Sequence, residues 1–168
     1  MGAQRAPADL PDGFGVAVVR EDGKWRCAPM RKSALNSLSA AETELREIRS
    51  AGAVFGLLDI DDEFFVIVRP APAGTRLLLS DATAALDYDI AAEALEKLDA
   101  DIEADDLDDA EPFEEGDLGL LSDLGLPDAV LSVILDETDL YADEQIGRIA
   151  REMGFAEELS AVLDRLNR

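Results

Sequence analysis

Two short runs constrain the fold of this chain more than anything else in it. Phe64-Phe65-Val66-Ile67-Val68 and Leu77-Leu78-Leu79 are apolar at every position and do not alternate. Successive side chains of a strand point to opposite faces, so a strand apolar on both sides has to be covered on both. The runs therefore predict a sheet held between two helix layers. Asp61-Asp62 and residues 70–74 are the turns around them, and such short turns make neighbouring strands antiparallel. Residues 54–60, 64–69 and 75–80 thus form a three-strand meander.

Upstream, residues 14–19 form a β-rich run followed by Glu21-Asp22-Gly23, and Asp-Gly is a strong hairpin signal. Residues 24–30 are the return strand, with Trp25 and Cys27 on one face and Arg26 on the other. Leu38, Ala41, Leu45 and Ile48 recur at three and four residues and predict a helix, with a capping box at Ser39 and Glu42 and a left-handed stop at Gly52. Residues 81–99 read as a second helix, with Ile90, Ala91, Ala94, Leu95 and Leu98 on its apolar face and Asp87 or Asp89 as its cap. Before all this, residues 1–12, with Gly2, Pro7 and Pro11, read as a flexible arm.

The expected architecture is α+β. It has a five-stranded antiparallel sheet in the order strand-strand-helix-strand-strand-strand-helix, with helices on both faces, over residues 13–98. That order resembles profilin-like, longin and roadblock modules, which host scaffolds more than enzymes.

Charge divides the chain. Residues 1–80 carry ten Lys/Arg and eleven Asp/Glu, and residues 81–168 carry five against 27. Eleven of those acids, and no base, fall in residues 99–117, which are read as a solvated acidic linker. Four apolar stripes follow in residues 118–168, and they read as short helices of a small all-α region. They begin at Leu118, Leu121 and Leu124, at Pro127, at Ile146 and at Leu159. The acidic half repels phosphate backbones and anionic lipid, so direct nucleic-acid or membrane binding is not expected. A basic partner or a divalent cation complements it, and simple solubility by self-repulsion explains it equally well.

The chain has no histidine and one cysteine. No Ser-His-Asp or Cys-His nucleophile and no imidazole ligand can be built. Cys27 has no mate for a disulfide and reads as a buried structural thiol in a reducing compartment. Residues 1–11 lack the apolar core of a secretory leader, and no stretch is long and apolar enough to span a bilayer, so the cytoplasm is the expected location. Asp59, Asp61, Asp62 and Glu63 form a tight acidic group. Counted as a calcium loop from Asp59 or Asp61, it lacks the required glycine and glutamate, and a polar turn is the better reading. No metal, cofactor or catalytic residue is expected. Trp25, Phe55, Phe64, Phe65 and Tyr88 are core candidates, and any of them that is exposed is an interface candidate.

Several strings together resemble a known family. They include residues 16–25, 52–57, Asp61-Asp62-Glu63-Phe64-Phe65-Val66-Ile67-Val68-Arg69-Pro70, residues 77–89, residues 117–127, and Asp143-Glu144-Gln145-Ile146-Gly147-Arg148-Ile149-Ala150. They are similar to the actinobacterial tRNA adenosine deaminase-associated proteins over nearly the whole chain after residue 13. A zinc deaminase needs H-x-E and P-C-x-x-C elements, which this chain cannot supply. The resemblance therefore implies a non-catalytic accessory or regulatory protein whose partner is a tRNA adenosine deaminase. The residues expected to meet that partner are Asp61, Asp62, Tyr88, Asp99, Asp101, Asp105, Asp106, Asp108 and Asp109. The alternative is a stand-alone scaffold or homodimer of the profilin/longin kind, unrelated to tRNA editing.

Overall fold

The computed structural model describes residues 12–100 and 102–166. Residues 1–11 of the expected arm lie outside the described residues, as does Asp101.

The hairpin signal is where the sheet begins. Strands β1 (Gly13–Glu21) and β2 (Lys24–Pro29) are joined by Asp22 and Gly23, both in the left-handed region at φ 55° and 75°. Strands β3 (Ala53–Ile60), β4 (Phe64–Arg69) and β5 (Arg76–Leu79) form the meander. A sixth strand, β6 (Glu115–Gly116), pairs with Leu78 and Leu79 of β5. The sheet is antiparallel throughout, in the order β2-β1-β3-β4-β5-β6. The expected five strands are thus six. The extra one is two residues from the end of the acidic stretch, too short and too polar to leave a periodic signal.

Helix α1 (Leu38–Arg46) follows β2, and α2 (Asp89–Lys97) and α3 (Ala104–Asp108) follow β5. These three cover one sheet face, packing Leu38, Leu45, Ile90 and Leu107 on Leu58, Val66 and Val68. Helices α4 (Asp128–Asp136), α5 (Ala142–Met153) and α6 (Ala156–Leu166) cover the other face. There Ile146, Ile149 and Phe155 meet Val18, Phe55 and Ile67. Both faces of the non-alternating strands are thereby buried, as the sequence requires. Phe155 anchors the second layer, 5.0 Å from the Trp25 ring and 6.1 Å from that of Phe55.

Several local details differ from expectation. Ser37, and not Ser39, caps α1, accepting from the Ala40 amide at 3.1 Å. Inside the helix, the Leu38 and Ser39 amides and the Ser39 hydroxyl donate to the Glu93 carboxylate of α2 at 2.8–3.1 Å. Gly52 ends no helix; its place is a close approach, since a Cβ there would collide with the Arg20 carbonyl. The helix expected over residues 81–99 is a 3-10 turn (Ala82–Leu86), capped by Asp81, followed by α2, which starts after Tyr88 without a side-chain cap. The first C-terminal stripe is also a 3-10 turn, Ser122–Leu124, and Pro127 stands one position before α4. Gly154 closes α5 at φ 104°. The stretch expected as a solvated linker holds α3 and β6, and its Leu107 is buried. No helix among the described residues is long and apolar enough to cross a membrane.

Candidate functional site

The β3–β4 turn builds the site. Asp61 and Asp62 sit at φ 55° and 59°, a region that aspartate tolerates better than bulkier residues, and the Glu63 amide closes the turn on the Ile60 carbonyl at 3.0 Å. This geometry turns three carboxylates in different directions, and each finds neutral donors. Asp59, only 2 % exposed, accepts from the Asp62 amide at 2.8 Å. Asp61 accepts from the Asp12 amide at 2.6 Å and from the Tyr88 hydroxyl at 2.7 Å. Asp62 accepts from the Asp143 amide at 2.9 Å, in the first turn of α5, where the helix dipole favours a negative charge. Tyr88 lies against Phe64, with ring centroids 5.1 Å apart, which fixes its hydroxyl.

Around this turn opens a cavity of about 610 Å³. Asp12, Asp59, Asp61, Asp62 and Asp143 line it on one side, and Phe14, Met30, Leu163 and Leu166 supply apolar wall. Lys32 is its single base, and the ammonium donates to the Gly13 carbonyl at 3.1 Å. Burial, reinforced by the Asp62 charge, pushes the Asp59 carboxyl up to about 7. Asp143 is also raised, by burial and then by its hydrogen bond and repulsion with Asp62. Burial and the bond to Asp61 raise Tyr88 as well. The pocket therefore holds negative charge at a cost that a cation would relieve.

Several carboxylates elsewhere are ion-paired. Asp123 is gripped by both Arg69 guanidinium nitrogens at 2.6 and 2.9 Å, which holds its carboxyl below the ordinary range. Asp117 pairs with Arg76, Glu42 with Lys97 and Glu137 with Arg148. Among the described residues, no such ion pair involves a pocket carboxylate. No group of three acids or cysteines there is arranged to hold a metal ion.

Of the residues singled out in the sequence, Asp61, Asp62 and Tyr88 come together here. Asp99, Asp105, Asp106, Asp108 and Asp109 do not. They are exposed, around the end of α2 and on α3, and they touch no part of the pocket. Asp59 was legible as part of an acidic group, although nothing marked it as buried. Asp12 and Asp143 were missed, and the second lies 81 residues from the Asp62 side chain that accepts its amide. Cys27 is half-buried and pushed up to about 12 by burial and by Glu158, the environment of an unreactive thiol.

Fold and site together define an α+β protein with a two-faced sheet and an acid-lined cavity at the β3–β4 turn. The comparison with known families narrows this. The chain belongs to the Rv3753c-like tRNA adenosine deaminase-associated protein family, whose model matches residues 13–156. It is 80 % identical over 173 residues to Protein Rv3753c of Mycobacterium tuberculosis (strain ATCC 25618 / H37Rv), with the whole of both chains covered. No solved structure matches it.

Proposed function

We propose that this chain is a non-catalytic accessory or regulatory protein that binds a tRNA adenosine deaminase, and that the acid-lined pocket receives a basic side chain of that enzyme. One observation carries the reading. Five carboxylates line one cavity without an ion pair among the described residues, and three of them, Asp59, Asp61 and Asp62, are held by backbone amides and a tyrosine hydroxyl. Neutral donors fix the position of the charge without cancelling it. The complement has to come from outside, and a tRNA-binding enzyme carries basic surface for its substrate's phosphates. The family's description names the deaminase, and the lack of histidine and of a second cysteine fits a chain that assists the zinc chemistry and does not perform it. The apolar wall suits the alkyl stem of lysine or arginine. The exposed acids of α2 and α3 extend the attractive field, which speeds encounter and is screened by salt.

The test is calorimetric titration of the purified deaminase with this chain at low and high salt. Binding that weakens with salt is expected, and Asp62→Asn with Asp143→Asn, which keeps the oxygen acceptors, weakens it about tenfold. No association at either salt, or full affinity in the double variant, overturns the reading.

A further inference from the structure

Strand β2 lies at the open edge of the sheet, opposite the edge carrying β6. The Met30 amide donates to the Gly15 carbonyl at 2.7 Å, so even-numbered residues of this strand turn their backbone groups toward β1. By alternation, the N–H and C=O of Trp25 and Cys27 point outward. Among the described residues these groups have no hydrogen-bond partner. Against the sheet face beside this edge, beyond the end of α1, lies a groove of about 280 Å³ with an apolar floor of Ala17, Val19, Ala28 and Ile48. Arg26 and Arg49 line it. The Arg26 side chain is 63 % exposed and only loosely paired, 3.8 Å from Glu21. In a chain of net charge −23, residues 20–32 hold five bases against two acids.

We infer that the β2 edge and its arginine-lined groove bind an extended acidic segment of a partner polypeptide, added to the sheet as a further strand. The free amides and carbonyls supply the main-chain bonds of strand addition. Alternate side chains of the added strand fall on the groove side, where carboxylates meet Arg26 and Arg49. A second copy of this chain fits poorly. Antiparallel pairing of β2 with its own copy centred on Trp25 sets Lys24 against Arg26, and pairing centred on Arg26 sets that residue against its own copy. The chain's own acidic stretch is already engaged in α3 and β6. The inference is independent of the acid-lined pocket, whose lining shares no residue with that of the groove.

The test uses the full chain and a fluorescein-labelled synthetic octapeptide of alternating valine and glutamate, followed by anisotropy. Saturable binding is expected. It falls about tenfold or more in the variant Arg26→Glu, Arg49→Glu, whose circular dichroism stays native. It is lost when alternate peptide amides are N-methylated, which removes the ladder bonds, and when lysine replaces glutamate. No saturable binding, equal binding of the N-methylated peptide, or equal binding of the lysine peptide overturns the inference. So does light scattering that shows a dimer dissociated by the peptide, because the edge would then belong to a second copy.

Discussion

Replacing Asp59 by asparagine tests the electrostatics of the pocket directly. Asparagine keeps an oxygen for the Asp62 amide and removes the charge. The Asp59 carboxyl stands near 7 in the folded chain, mainly because it is buried, and near the ordinary value of about 3.9 when unfolded. Below the unfolded value both states are protonated and the group adds no pH dependence. Between the two values the folded state keeps a proton that the unfolded state has released, so stability falls as pH rises, and above about 7 the full penalty is present. A difference of about three in pKa corresponds to about 4 kcal/mol. The pocket opens to water, and solvent screening reduces this to about 2 kcal/mol. Urea unfolding followed by Trp25 fluorescence, from about pH 5 to about pH 8, reads the effect. The wild type is expected to lose stability across that window. Asp59→Asn flattens the curve and is the more stable protein at its alkaline end, by about 2 kcal/mol, with a small residual slope from Asp143. Parallel curves for the two proteins, or a variant that is less stable at the alkaline end, would refute the reasoning.

Two further outcomes test the packing. Phe155→Ala empties a fully buried site between Trp25 and Phe55 and is expected to cost about 3–5 kcal/mol in urea unfolding, with a red shift of Trp25 emission as the second readout. Cys27, pushed up to about 12, is expected to react with iodoacetamide at neutral pH about a hundredfold more slowly in the native chain than in urea, and equal rates would contradict its placement beneath α6.

The sheet was legible where local chemistry dictates it. Asp22-Gly23 specified the first hairpin, and the unbroken runs at residues 64–68 and 77–79 required cover on both faces, which α1–α3 and α4–α6 provide. What the sequence did not reveal depends on contacts distant along the chain. Strand β6 exists because the Phe113 carbonyl takes the Ala82 amide at 2.8 Å and Gly116, at φ 126°, brings the chain alongside Leu78. Two polar residues carry no period from which that could be read. The same holds for the cap of α1. Ser39 and Glu42 have the right spacing, but Glu93 of the next helix takes the Leu38 and Ser39 amides, and the start of the helix shifts to Ser37. In the site, the left-handed turn made Asp61 and Asp62 recognisable as polar and exposed in part. Asp59 lies opposite Phe14 of β1 across the sheet, a pairing distant in sequence, and the bond from Asp143 depends on where α5 docks.

The position of the pocket follows from that docking. Strand β3 ends at Ile60 over the start of β1, and α5 enters the sheet face with its first amides aimed at the turn. Any sequence that places a polar turn there supplies acceptors for the helix, but one carboxylate would satisfy it. This chain places Asp59, Asp61 and Asp62 within four residues and adds Asp12 and Asp143 from two other segments. Helix capping accounts for Asp62 and tethering of β1 accounts for Asp61. Neither needs a buried charge at Asp59, where a neutral asparagine would accept the same amide. The excess charge costs stability at neutral pH, and a structural role gives no return for it. On the proposed reading a cationic group seated from outside gives one, because it would lower the Asp59 carboxyl toward its ordinary range and recover on binding what folding gave up. The pocket also abuts the open edge: Met30, which lines it, is the residue after β2. On the inferred strand addition, a partner strand running along β2 toward Pro29 heads toward Met30 and the pocket wall.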